Sequence, residues 1–293
     1  MRILVLGASG MIGNTIFRVI SEKNDWKVYG TVRSAETKKF FDPIFQENLL
    51  LVENVQQQDS LVNLFTQVKP DVVINCIGIV KQLAEASETL ITVPLNSIFP
   101  HRLYRLCELS GARLIHLSTD CVFSGRKGGY VETDIPDAED LYGRSKVLGE
   151  VINLNSITLR TSTIGYELAR SKGLLEWFFL QDVQCKGYKK VVFSGLPAVE
   201  LAKVIKTFVI PNESLSGLYH VASDPITKYD LLRLIAVVFN KKIKILPDEE
   251  FILDRSLVAD SFKKATGYLS PSWPDMIEAM KSYEIKRKKN VYR

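Results

Sequence analysis

Histidine and cysteine, the side chains most often recruited as metal ligands and nucleophiles, are scarce in this chain: three and four among 293 residues. Cys76, Cys107, Cys121 and Cys185 are scattered, so no CxxC pair seeds a zinc site and no dense framework demands disulfides. Reduced, mostly buried thiols are expected, and no metal. His101, His116 and His220 show neither metal-ligand nor triad spacing and are read as structural. No run approaches the roughly 20 apolar residues of a membrane span, and the apolar residues 3–6 are too few for a signal-peptide core. The expected compartment is the cytoplasm, with no membrane partner. Internal repeats, low-complexity segments and a Pro/Gly/Ser-rich linker are also missing, which argues against a solenoid or two tethered domains.

Neither sign of charge dominates. The net charge of +5 comes from 38 basic and 33 acidic residues, with much of the excess in Lys281, Lys286, Arg287, Lys288, Lys289 and Arg293. A short basic tail of this kind is read as solvated, so nucleic acid is not the expected partner. An anionic small substrate such as a diphosphate suits the mild positive balance. What remains, 46% hydrophobic and 24% charged residues, is the composition of an ordinary globular protein.

Hydrophobic periodicity alternates along the chain. Residues 2–6 read as a buried strand, and Ile12, Ile16, Val19 and Ile20 fall at helical spacing over 11–22. Further strands are expected at 26–32, 49–52, 72–77, 113–117 and 157–159, with helices at 60–68, 97–110 and 142–153. Strands alternating with helices predict right-handed βαβ units, hence an α/β fold of Rossmann type with a doubly wound parallel sheet. Beyond about residue 160 the alternation loosens into an apolar stretch at 173–179, a loop around 186–190 and a helix at 229–239. The expected division is a dinucleotide-binding domain over 1–160, rejoined by strands from about 190–222, and a smaller C-terminal substrate-binding lobe over 161–293.

Gly7, Gly10 and Gly13 form GxxGxxG between the first strand and the first helix. Glycines there permit a tight turn, let the backbone approach a pyrophosphate and let helix pack on strand, while the helix N-terminus favours negative charge. NAD-binding versions place a carboxylate about 20 residues later for the adenosine ribose. Here the second strand ends in Thr31-Val32-Arg33-Ser34. Arg33 suits a 2′-phosphate, which makes NADPH the expected cofactor and NADH the alternative.

Tyr142 and Lys146 stand four residues apart at the start of a predicted helix and share a face. A phenol is a poor acid–base group at neutral pH unless a neighbouring ammonium stabilises the phenolate. Such a pair can protonate a carbonyl oxygen as hydride arrives. Leu117-Ser118-Thr119-Asp120 closes a predicted strand, at the end where doubly wound folds place ligands, and a hydroxyl there can bond a substrate carbonyl. Trp177, Phe178 and Phe179 read as core packing, and Lys186, Tyr188 and Lys189 as a solvated loop.

Together these segments resemble a known family. The glycine turn, Asn75 within 73–76, the run 118–125, and Tyr142–Lys146 with Gly149-Glu150 are similar to the extended short-chain dehydrogenase/reductases, and more closely to the dTDP-4-dehydrorhamnose reductase group. The resemblance extends to Asp254-Arg255-Ser256-Leu257, Ala265-Thr266-Gly267-Tyr268 and Trp273-Pro274, so it spans essentially the whole chain. It implies a catalytic triad of Thr119, Tyr142 and Lys146, with Tyr142 protonating the sugar's C4 oxygen, Thr119 polarising the ketone, and Lys146 binding the nicotinamide ribose and depressing the Tyr142 pKa. It implies cofactor contacts from Gly7, Ser9, Gly10, Met11, Ile12 and Gly13, from Arg33, Cys76 and Gly78, and from Tyr142 and Lys146. Lys81, Ser118, Thr119, Val122, Phe123 and Arg255 are the expected substrate residues.

Two departures leave the sugar open: the segment 76–82, which sets Lys81 and Gln82 beside it, and Cys121 in place of a tyrosine. The implied function is NADPH-dependent reduction of the 4-keto group of a nucleotide-diphosphate deoxy sugar in cell-surface polysaccharide synthesis, with a homodimer compatible. The alternatives are an epimerase or dehydratase of the same superfamily, for which only Asp120 of the required carboxylate pair follows Thr119, and a non-catalytic NADP-binding regulatory subunit.

Overall fold

β1 (Arg2–Leu6) is apolar from Ile3 to Leu6, and these four side chains are fully buried, as a strand covered on both faces requires. The structure, a computed structural model, describes residues 1–22, 25–81, 83–168 and 173–291, with side chains as far as Arg287. After β1 come α1 (Met11–Ser21), β2 (Lys27–Val32), α2 (Pro43–Gln46), β3 (Leu49–Leu51), α3 (Gln58–Val68) and β4 (Val72–Asn75). The chain continues through α4 (Thr89–Val93), α5 (Phe99–Ser110), β5 (Arg113–Thr119), α6 (Leu141–Leu148), β6 (Ser156–Thr161) and β7 (Thr163–Ile164). The remainder comprises α7 (Leu174–Phe179), β8 (Gln184–Phe193), β9 (Leu196–Pro197), α8 (Ala198–Val204), β10 (Gly217–His220), β11 (Ile226–Thr227), α9 (Lys228–Val238), β12 (Lys244–Asp254), α10 (Asp260–Thr266) and α11 (Trp273–Val291).

Among the described residues, seven parallel strands form the main sheet in the order β10-β6-β5-β4-β1-β2-β3. Helices cover both faces. Ile3, Val5, Ile74, Ile115 and Ile157 point into one apolar cluster with residues of α1, α8, α9 and α11. Leu4, Leu6, Val73 and Leu114 point into another with α3 and α5. This is the expected doubly wound α/β fold. The strand order reverses between β1 and β4, and the crevice outside the carboxyl ends at such a reversal is where these folds place ligands.

The smaller sheet corrects one expectation. Residues 186–190 are not a loop: they belong to β8, which lies between antiparallel β11 and parallel β12. Cys185 and Gly187 turn inward while Lys186 and Tyr188 turn outward, so the segment's polarity is that of a sheet with one wet face. Lys186 and Lys189 pair with Asp248 and Glu249 across the strands, each at 3.0 Å. In α7, Phe178 is fully buried whereas Trp177 keeps 39% of its surface exposed. The described cations of the C-terminal helix also have internal partners: Lys281 donates to Val238 O at 2.7 Å, Lys286 meets Glu22 at 2.8 Å and Arg287 meets Glu284 at 2.6 Å. The side chains of Lys288 and Lys289, and all of Arg293, lie outside the described residues. Among the described residues no helix is long and apolar enough to cross a membrane.

Helix boundaries shift where tertiary contacts intervene. The helix expected from 97 starts at Phe99, after a π-helical turn over Pro94–Ile98. The helix expected to reach 153 stops at Leu148, capped by Gly149. A Cβ on Gly149 would lie 1.8 Å from the Asn96 carbonyl oxygen, so glycine alone lets α6 approach that turn. Gly149→Ala is therefore expected to lower stability by roughly 1–3 kcal/mol, read as a reduced thermal unfolding midpoint; an unchanged midpoint would show that the two segments separate freely.

Candidate active site

The glycine turn has the geometry of an anion cradle. Gly7 adopts φ +81°, a left-handed conformation that favours glycine. A Cβ on Gly13 would come within 2.1 Å of the Gly7 carbonyl oxygen. Gly10 caps α1 without a side-chain hydrogen bond, and no acidic residue occupies the first turn, so the positive end of the helix faces the crevice. Ser9, Met11 and Ile12 are half-buried at its mouth, and Arg33 is exposed just past β2 with no carboxylate among the described residues paired to it. Across the switch point, Cys76 N donates to Leu6 O at 3.1 Å, and a Cβ on Gly78 would lie 3.1 Å from Asn96 Oδ1. The strand expected to reach residue 77 ends at Asn75, whose Oδ1 accepts from Ile77 N at 3.1 Å and draws the chain into a turn.

Asp140 starts α6: its Oδ1 accepts from Gly143 N at 2.7 Å, which puts Tyr142 in the first turn. The Tyr142 phenol lies within the influence of the Thr119 side chain, which draws its pKa down. Thr119 Oγ1 also lies 3.1 Å from Asp120 Oδ1 and accepts from Cys121 N at 3.1 Å. The expectation that Lys146 depresses the Tyr142 pKa is not met. Burial pushes the phenol up, with Cys121, Asp120 and Asp140 in the same direction and only Thr119 opposing. Lys146 instead points beneath the strand end, where Nζ donates to Leu117 O at 2.7 Å. Burial takes it down to about 8, against the pull of Glu150 and Cys76.

The expected substrate residues divide. Val122 and Phe123 are fully buried, packed with Tyr130 and Leu257, and Phe123 stacks on Tyr130 at 4.1 Å between ring centroids. Their side chains thus belong to a small core under the strand end. Ser118 is 7% exposed and its hydroxyl donates to Glu150 Oε1 at 2.7 Å, so it too faces inward. Lys81 is exposed and its Nζ lies 2.6 Å from Asp140 Oδ2; Gln82 lies outside the described residues. Arg255 reaches the site: Nε donates to Phe123 O at 2.7 Å and Nη1 lies 3.6 Å from Cys121 Sγ. Around it the segment after β12 is stitched to the loop after β5. Asp254 N donates to Gly125 O at 2.9 Å, Tyr130 N to Ser256 O at 2.8 Å and Val258 N to Tyr130 O at 2.8 Å.

Two further groups stand at the site beyond the expected residues. The Asp120 carboxyl is pushed up by burial despite the charges of Arg255 and Lys228 and bonds from Thr119 and Cys121. Lys228, the first residue of α9, lies 4.0 Å from the centre of the Phe193 ring and is taken down to about 8 by burial, against Asp120 and Cys121. Asp120 was visible beside Thr119, but nothing local marks Lys228, more than a hundred residues away. Beneath the site, on the face of α6, the sheet turns polar. Asn75 and His116 are register neighbours whose Nδ2 and Nδ1 lie 3.1 Å apart. Ser118, Arg160 and His220 form a second row across β5, β6 and β10.

Comparisons with known proteins agree on a family. A family model described as the RmlD substrate binding domain matches residues 1–252. The methionine adenosyltransferase 2 subunit beta of Xenopus tropicalis is 30% identical over 261 residues, covering 82% of this chain and 72% of that protein. A probable low-salt glycan biosynthesis reductase of Haloferax volcanii is 27% identical over 269 residues, covering 87% and 84%. A crystal structure of dTDP-4-dehydrorhamnose reductase from Bacillus anthracis in complex with NADP is similar with a TM-score of 0.77 at 22% identity, over 96% of this chain and 99% of that one.

The two bonds of Asp140 differ in worth. Asp140→Ala removes the cap of the helix that carries Tyr142 and should cost about 1 kcal/mol. Lys81→Met breaks a half-exposed ion pair and should cost under about 0.5 kcal/mol. Denaturant unfolding of both variants checks the ranking, and equal losses would refute it.

Proposed function

We infer the activity from one premise: this chain belongs to the RmlD substrate-binding domain family. The function its site supports best is NADPH-dependent reduction of the 4-keto group of a nucleotide-activated deoxy sugar, serving polysaccharide synthesis. The observation that carries this reading is the convergence of Thr119 at the end of β5 with Tyr142 in the first turn of α6, and of Lys146, buried and bonded to Leu117 O. The NADP complex of the Bacillus anthracis structure and the name of the Haloferax volcanii relative point the same way.

The residues present fit a dinucleotide phosphate. The uncapped start of α1 and the glycines that no Cβ could replace suit the pyrophosphate, and Arg33 suits a 2′-phosphate. When bound, the cofactor supplies a hydride to the ketone carbon. Tyr142, kept protonated by burial, is the acid that donates to the C4 oxygen, and Thr119 orients that oxygen by a hydrogen bond. Lys146, as an ammonium, donates to the ribose hydroxyls. Lys81 and Arg255, which both act on Cys121 and Asp140, offer charge to the nucleotide-diphosphate sugar.

A second reading, a regulatory subunit that binds the dinucleotide without turnover, draws on the relatives that are beta subunits of methionine adenosyltransferase 2. Tyr142 separates the two. The reductase reading expects NADPH oxidation with at least one of a panel of dTDP-, UDP- and GDP-4-keto sugars, and a fall of roughly 10²–10⁴-fold in kcat for Tyr142→Phe with NADPH affinity little changed. Intact NADPH binding without reduction of any of these sugars would refute it.

The Lys146 ammonium, present below about 8 and lost above it, sets the sign of the pH dependence. For the free enzyme, kcat/KM for NADPH should fall as pH rises through about 8. A profile flat to pH 10, about two units past that midpoint, would show that Lys146 does not hold the cofactor as an ammonium.

A further inference from the structure

Glu150 takes no part in the chemistry above, yet it is bonded more completely than any group that does. It follows Gly149, where α6 ends, and its carboxylate turns back to the ends of β5 and β6. Oε1 accepts from Ser118 Oγ at 2.7 Å and from Arg160 Nε at 2.8 Å, and Oε2 accepts from Arg160 Nη2 at 2.7 Å. The side chains of Arg160 and Glu150 are 3% and 4% exposed. The guanidinium is also covered by the Phe123 ring, 5.2 Å to its centre, and its Nη1 lies 3.3 Å from His220 Nε2.

The position of this pair matters more than its strength. Ser118, which it grips, stands between Leu117, whose carbonyl accepts from Lys146, and Thr119. A two-pronged ion pair this deeply buried stabilises little beyond what apolar packing of the same volume would provide. Stability is therefore a poor reason for building one directly beneath the site.

We propose that Glu150 is a positioning residue: its carboxylate, oriented by Arg160 and Ser118, keeps Lys146 an ammonium in register with Thr119, without touching substrate or cofactor. The inference rests on the reductase reading only in giving Lys146 the cofactor. Of the groups that oppose the fall in Lys146 basicity, Glu150 is the largest and Cys76 the next. Arg160 is the countercharge of Glu150 itself, and the titratable groups nearest the ammonium are neutral at neutral pH. His116 on β5 is driven well below its usual range by burial and by Lys146 itself. The Cys76 thiol beyond β4 is pushed up to about 12 by burial, and Tyr142 on α6 is pushed up as well. Around the pair, His220 is held low by burial, and Glu132 Oε1 accepts from His220 N at 2.8 Å; Glu132 is not among the charges that act on Lys146. Among the described residues Glu150 is thus the anion that acts on the lysine.

The test is an NADPH fluorescence titration of the full chain across pH 6–10 (a window about two units either side of an amine titrating near 8), with thermal unfolding recorded at each pH. In Glu150→Gln the high-pH loss of NADPH affinity should move to lower pH by about one unit. That variant strands the Arg160 guanidinium and risks misfolding, so Glu150→Leu/Arg160→Leu accompanies it, replacing the pair with apolar side chains while also removing the anion. An acid shift in the folded double variant, smaller than in Glu150→Gln because the Arg160 cation goes with the anion, supports the proposal. An unmoved midpoint there, or an affinity that does not vary with pH in the unaltered protein, overturns it. Sugar reduction is scored separately: a shifted NADPH midpoint without reduction of any 4-keto sugar would sink the reductase reading and leave the role of Glu150 standing.

Discussion

The donation from Lys146 Nζ to the Leu117 carbonyl, at 2.7 Å, is the contact around which the rest of the site is arranged. It fastens α6 to the end of β5, so one helix turn and one strand end share a fixed geometry. Everything flanking it serves to bring helix and strand that close. Asp140 starts the helix at the right residue, Gly149 lets it end against the Asn96 backbone, and Asn96 Nδ2 donates to Ser145 Oγ at 3.1 Å from the π-helical turn. An ammonium removed from water is unfavourable unless it is bonded, which is why a lysine here demands so much polar structure around it.

That demand explains an asymmetry in the sheet. Parallel strands with helices on both faces are ordinarily apolar on both. On the face of α1 this holds from Ile3 through Ile157. On the face of α6 the carboxyl ends of β4, β5 and β6 carry Asn75, His116, Thr158, Ser118 and Arg160, all buried. Most are satisfied by one another, and Thr158 Oγ1 donates to Val151 O at 2.7 Å; His116 Nε2 is buried without a partner among the described residues. The crevice is thus lined by a protein interior that is already polar.

How much of this was legible in the sequence depended on distance along the chain. β1, the glycine turn and α1 are set by neighbours within a dozen residues, and their bounds followed from periodicity and glycine spacing. Thr119, Tyr142 and Lys146 stand close enough in sequence to be grouped. The burial of Val122 and Phe123 was not legible, because what buries them, Tyr130 stacking and Leu257 more than a hundred residues on, is invisible locally. Ser118 was assigned to the crevice because its bond to Glu150 needs the helix end to fold back. The 186–190 segment looked like a loop because its lysines find their carboxylates on β12, some sixty residues later. Lys228 carries no local mark at all: only the packing of α9 against Phe193 brings it to Asp120.

The stitching of the segment after β12 to the loop after β5 has a further consequence. Because Asp254, Ser256 and Val258 bond residue for residue with Gly125 and Tyr130, that side of the crevice is one continuous piece of backbone lattice, and no part of it can be altered without disturbing the other. The segment from Ile77 to Lys81 carries no strand pairing: the Asn96 side chain holds it, bonding both the N–H and the carbonyl of Ile79, and Val80 is 46% exposed. Divergence toward new sugars would meet least resistance there, on the rim that holds the sequence's main departure from the reductases it resembles.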